Sequence, residues 1–118
     1  MKHNFRELKV WKDSIVVAKE VYLHSRQFPE YEKYGLTSQV NRAVVSIASN
    51  IAEGSARSTN KDFCNFLGFS LGSAYEVETQ LILAREFGYL SEDSLNSLLG
   101  KLHDLEKKIS NLQNRLRD

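Results

Sequence analysis

Cysteine occurs once in these 118 residues, at Cys64. A single thiol excludes an intrachain disulfide and a thiolate metal cluster, and it suits a reducing cytosol. Proline also occurs once, at Pro29, and the six glycines are scattered at 35, 54, 68, 72, 88 and 100. Long segments free of such breakers favour helix. No stretch approaches the ~20 consecutive apolar residues of a membrane span. The opening MKHNFRELKVW lacks the uninterrupted apolar run of a signal peptide. The formal net charge of +1 gives no global field that would draw in nucleic acid, so such binding needs local clustering of charge. These absences predict a cytoplasmic protein without a membrane partner.

Hydrophobic residues make up 42% of the chain, enough for one real core. The length suits a single domain, 1–118. Four segments carry helical periodicity, at about 6–27, 36–56, 60–87 and 92–117. In the first, Leu8, Trp11, Ile15, Ala18, Tyr22 and Ser25 form the seam, and Pro29 ends it. In the second, Leu36, Val40, Ala43, Ile47 and Ile51 form the seam. Thr37 reads as its N-cap, and Gly54 or the residues just after it as its left-handed stop. The third runs from the cap Thr59 through Phe63, Leu67, Ser70, Ala74, Val77, Leu81 and Ala84 to Gly88. The fourth follows Ser91, with Leu95, Leu98, Leu102, Leu105, Ile109, Leu112 and Leu116 inward. Segments of similar length joined by short loops predict an all-α, antiparallel up-down-up-down four-helix bundle.

The apolar surface exceeds the needs of one bundle. Val44, Val45, Ala48 and Ala52 widen the second helix. Phe66, Phe69, Leu71, Ile82 and Leu83 widen the third, and Val10, Val17 and Val21 form a second row on the first. Helices apolar over most of their circumference are buried on more than one side. The expected second burial is another copy of the chain, so the sequence predicts a homo-oligomer. Gly68 and Gly72 form GxxxG, a spacing that lets helix backbones approach closely.

No catalytic constellation emerges, and the expectation is a non-enzymatic protein with no cofactor and no metal. Gly68-Phe69-Ser70-Leu71-Gly72 matches GxSxG, but that elbow needs a strand before it and here lies within a helix. His3, His24 and His103 show no zinc-ligand pairing, and Glu53, Glu76 and Glu106 lack a histidine three residues on. Two polar stripes stand out instead. Arg42, Ser46, Asn50, Glu53 and Arg57 share one face of the second helix, and Ser73, Glu76 and Gln80 share one on the third. They read as a structural polar network between helices or subunits. The alternative reading is a ligand pocket using the same residues. Charge is uneven. Helix 1 carries Arg6, Lys9, Lys12, Lys19 and Arg26 against Glu7, Asp13 and Glu20. The tail KKISNLQNRLRD carries Lys107, Lys108, Arg115 and Arg117 against Asp118 alone, making those four the candidate RNA contacts.

The stretches FRELKVW, YGLTSQVNRAVVSIASNIAEGSAR and FLGFSLGSAYEVETQLILAREFGYL resemble the bacterial proteins encoded within intervening sequences of 23S ribosomal RNA genes, also labelled S23 ribosomal proteins. The NIAEG-x-x-R core followed by GS-x-x-E carries the likeness. The resemblance implies an antiparallel four-helix bundle that assembles as a ring, typically a homopentamer. It also implies kinship with the accessory proteins of diversity-generating retroelements, which are basic and work with RNA and a reverse transcriptase, and encoding within a ribosomal RNA gene suggests an RNA link. Members commonly have proline where this chain has Ala48, which implies a less kinked second helix here, and a basic residue where it has Asn41, which together with the net charge of +1 implies weaker RNA binding than is usual for the relatives. The expectation is therefore a homo-oligomeric bundle serving as an RNA-associated scaffold, with a protein–protein adaptor as the alternative.

Overall fold

A computed structural model describes residues 3–117; Met1, Lys2 and Asp118 lie outside the described residues. Four helices follow in order: α1 (Lys9–Ser25), α2 (Leu36–Ser55), α3 (Asn60–Glu86) and α4 (Glu92–Arg117). Single 3-10 turns at Phe5–Glu7 and Glu30–Glu32 precede α1 and α2. Each helix packs on the next, α4 closes back on α1, and among the described residues no diagonal pair meets. The result is an antiparallel four-helix bundle of 45 × 24 × 20 Å.

The helix ends show how local chemistry sets this layout. Asn4 caps the first 3-10 turn through Arg6 N–H, and Leu8 is extended, so α1 begins at Lys9 rather than near Arg6. Thr59 Oγ1 accepts from Asp62 N–H at 3.1 Å, and Ser91 Oγ from Ser94 N–H at 3.1 Å, as expected of N-caps. Thr37 is not the cap of α2. Glu32 reaches from the preceding turn, its Oε1 accepting from Leu36 N–H at 3.0 Å. Its Oε2 accepts from Tyr89 OH at 2.9 Å, which ties this turn to the one between α3 and α4. These hydrogen bonds, the backbone one foremost, hold the Glu32 carboxyl below the usual range. Gly88 stops α3 with φ +83, and Tyr89 N–H and Gly88 N–H return to Ala84 O and Arg85 O. That six-to-one and five-to-two pairing satisfies the last carbonyls and uses the left-handed backbone open to glycine.

The seams of α2 and α3 are buried residue for residue as the periodicity predicts, as is that of α4 up to Leu112; Leu116 is half-buried. Helix α1 is turned from its expected orientation. Ile15 and Tyr22 are 40% and 49% exposed, whereas Val10, Val17 and Val21 line the core with Ser14 and Ser25. The inward row is the one with smaller side chains, which fit between α2 and α4. Its serines find hydrogen-bond partners there. Ser14 Oγ donates to Trp11 O at 2.6 Å, and Ser25 Oγ lies 3.1 Å from Asn41 Oδ1. Periodicity located both apolar rows but could not rank them.

The most extensive packing is between α2 and α3. Ser70, fully buried, donates its hydroxyl to Ile47 O at 2.9 Å. Its place in a GxSxG string is thus a helix–helix contact. Gly54 lies within the last turn of α2 and is not left-handed. A Cβ there would sit 2.6 Å from Phe66 Cβ and 2.9 Å from Phe63 Cδ1, so this glycine serves close approach. The GxxxG pair behaves otherwise. A Cβ on Gly68 would meet only Gln113 Nε2 at 3.7 Å, and one on Gly72 would meet nothing within 4 Å.

Gly54→Ala is expected to lower unfolding stability by about 1–3 kcal/mol through overpacking. Gly100→Ala, on a position with nothing within 4 Å, is expected to raise it by up to about 1 kcal/mol. Urea denaturation of the two variants checks both signs.

Candidate functional site

The polar stripes meet across the α2–α3 groove in their middle. Ser73 Oγ donates to Ser46 Oγ at 2.9 Å. Asn50 Nδ2 donates to Ser46 O at 2.9 Å and to its Oγ at 3.0 Å. One turn further along α3, the buried Gln80 donates to Glu76 Oε2 at 3.2 Å. The charged members are not joined. Arg42, Glu53, Arg57 and Glu76 are exposed, and among the described residues no ion pair links them. Arg57 instead lies over the Phe66 ring, 5.1 Å from its centroid. The outer face of α2 bounds an open groove of about 730 Å³, lined by Tyr22, Tyr34, Arg42, Val45 and Glu53 among others. A smaller cleft of about 230 Å³ lies between Arg42, Ser46 and Glu76.

Several large apolar side chains border this polar strip and stay in water. Val45 is 47% exposed on α2, and Phe69 is 58% exposed on α3. On α3 the row Phe69, Ser73, Glu76, Gln80, Leu83 and Phe87 steps by four and three, so hydrophobic residues bracket the polar ones. Tyr75 and Ile82 share a neighbouring row with Gly72 and are also exposed.

The second feature is electrostatic. The antiparallel path brings the start of α1, the end of α2, the start of α3 and the end of α4 to one end of the bundle. Lys61 and Arg117 share a cleft there, and Lys9, Lys108 and Arg115 share another. Arg6 and Arg57 belong to the same end. The sequence showed helix 1 and the tail as separate basic runs; only the topology adds them together and brings in Arg57 and Lys61. Of the four candidate RNA contacts, Lys107, Arg115 and Arg117 have no acidic partner among the described residues. Lys108 is engaged: its Nζ lies 2.9 Å from Asp13 Oδ2, while Lys9 Nζ lies 2.8 Å from Oδ1. Burial raises the Asp13 pKa, but the hydrogen bonds and charges of Lys108 and Lys9 outweigh it and hold the group low.

A third grouping lies on the α3–α4 seam. Glu78 faces His103 and Glu106, with His103 Nε2 2.6 Å from Glu78 Oε1. Burial, and after it the charge of Glu78, pushes the Glu106 carboxyl up to about 7. Sequence reasoning passed over this grouping because it sought histidine after glutamate, whereas here the order on α4 is His-x-x-Glu. Its third member comes from another helix. Cys64 is buried against Gln113, its thiol 3.5 Å from Gln113 O. Among the described residues no helix is long and apolar enough to cross a membrane.

The family model described as 23S rRNA-intervening sequence protein matches residues 6–111. A crystal structure of a protein with unknown function from the S23 ribosomal protein family of Bacteroides thetaiotaomicron is similar, with 25% identity and a TM-score of 0.79. It aligns over 88% of this chain and 97% of that one. No curated protein matches the chain.

Raising the Glu106 pKa stabilises the fold fully below the unfolded value near 4.5, and that contribution is lost as pH rises through about 7. Glu106→Gln is therefore expected to melt like the parent at pH 4.5 and at a higher temperature at pH 8. Thermal melts in chelator-containing buffer at both pH values check the crossover.

Proposed function

The chain belongs to the 23S rRNA-intervening sequence protein family, and we propose that it is a non-enzymatic, self-assembling scaffold that meets structured RNA through its basic end. The observation that carries the RNA half is the segregation of charge. A net charge of +1 gives no general affinity for phosphate, yet Lys61, Arg115 and Arg117 converge with Arg6 and Arg57 on one end, while Lys107 lies further back along α4. In an assembly this end repeats, and each copy adds phosphate contacts without requiring sequence readout.

The assembly half draws support from the exposed apolar rows. Val45, Phe69, Leu83 and Phe87 bracket hydrogen-bonded polar residues, the pattern of an apolar interface with a polar register. Gly72 adds to this. An exposed glycine inside a long helix costs about 1 kcal/mol relative to alanine. A Cβ there would meet nothing within 4 Å, so the helix surface at Gly72 is open to the approach of a second backbone. The occupant we propose is another copy of the chain, in a ring of five as the family resemblance implies. Arg42, Glu53, Arg57 and Glu76 then find their ion-pair partners between subunits. A protein–protein adaptor would use the same apolar rows without RNA.

Light scattering at micromolar concentration is expected to give a multiple of the 13.5 kDa chain mass, and a monomer overturns the assembly. Gly72→Ala is expected to weaken that assembly while leaving helix content intact, as read by circular dichroism. Binding to a stem-loop RNA is expected at low salt and to weaken steeply as salt rises. The double variant Arg115→Glu, Arg117→Glu is expected to lower affinity and to reduce the salt slope by about 0.7–0.9 for each phosphate that is no longer neutralised. No binding at low salt rejects the RNA reading and selects the adaptor.

A further inference from the structure

The α3–α4 seam holds a donor set that neither assembly nor RNA binding uses. Glu78 projects from the middle of α3, and His103 and Glu106 from α4, three residues and therefore one turn apart. One nitrogen and two carboxylate oxygens from these side chains lie within 4.8 Å of one another. His103 Nε2 and Glu78 Oε1 stand 2.6 Å apart, yet no hydrogen bond is aligned between them, and Glu78 Oε1 has no hydrogen-bond partner. Glu106 Oε2 is likewise sealed from water and unpartnered. Two carboxylate oxygens sealed from water thus converge with one imidazole nitrogen, and among the described residues neither oxygen has an aligned hydrogen bond. Lys101, on the same helix, is paired with Glu20 at 3.1 Å and offers no compensation.

Such orphaned acceptors are costly in a partly desolvated seam, and a small cation removes the cost. Atoms bound to one zinc ion at about 2.1 Å lie no more than about 4.2 Å apart. Small rotations of three flexible side chains reach that from the observed spacing. One imidazole and two carboxylates suit a divalent transition metal better than calcium or magnesium, which prefer oxygen donors alone. The side chain of His103 is 62% exposed, so the cluster opens outward.

We propose that Glu78, His103 and Glu106 bind one divalent transition-metal ion, with zinc the best-matched probe. The ion pins α3 to α4 near their midpoints. A fourth position faces solvent, free for water or for an anionic group of a partner.

Isothermal titration of the chelator-stripped full chain with zinc chloride tests this, with magnesium chloride as comparison. One zinc ion per chain is expected, with a raised melting temperature and no matching effect of magnesium. His103→Ala, at an exposed position, is expected to keep its fold by circular dichroism and to bind zinc at least tenfold more weakly. Glu106→Gln is expected to do the same, and Asp104→Asn, beside the cluster, to bind as the parent does. Absence of saturable zinc binding overturns the proposal. So does binding that His103→Ala leaves unchanged, since the ion then sits elsewhere. If Glu106→Gln fails to fold, His103→Ala decides alone.

Discussion

The close approach of α2 to α3 is the constraint on which the rest of the bundle depends. It requires a missing side chain at Gly54, where the rings of Phe63 and Phe66 fill the space. It is locked a few turns away by the hydroxyl of Ser70 on a carbonyl of the facing helix. Both devices are small, and both act where a larger residue would push the helices apart. With this pair set, the Ser46–Ser73 hydrogen bond falls into register, and the polar stripes come to lie along one groove. The exposed aromatic residues then fall to either side of it.

Most of this architecture was legible in the residues. The leucine ladder of α4, the seams of α2 and α3, the caps at Thr59 and Ser91 and the stop at Gly88 all follow from spacing and backbone chemistry. Spacing failed where two answers satisfied it equally. Helix α1 carries two apolar rows, and the choice between them depends on the gap left by its neighbours. The cap of α2 failed for a related reason. Glu32 lies four residues ahead of the helix, and its hold on Leu36 depends on a turn whose path the local pattern does not reveal.

The candidate sites divide along the same line. The membership of each polar stripe could be read from three- and four-residue steps. Which members touch could not, because Ser46–Ser73 is a tertiary pairing and the charged members form no ion pair with one another among the described residues. The basic end could be read only in pieces, since its residues come from four separated segments. The grouping of Glu78, His103 and Glu106 escaped because a helical motif search looks along one helix, whereas this one is completed across two.

The tie between Glu32, Tyr89 and Tyr31 fastens one end of the bundle through its two connections, which are cross-linked by hydroxyls, with Phe28 and Phe87 against Tyr89. At the other end a single connection joins α2 to α3. The basic residues of that end sit on segments fastened to one another by the Gly54 contact with Phe63 and Phe66 and by the paired Cys64–Gln113 hydrogen bonds, so packing rather than loop length sets the spacing of their charges.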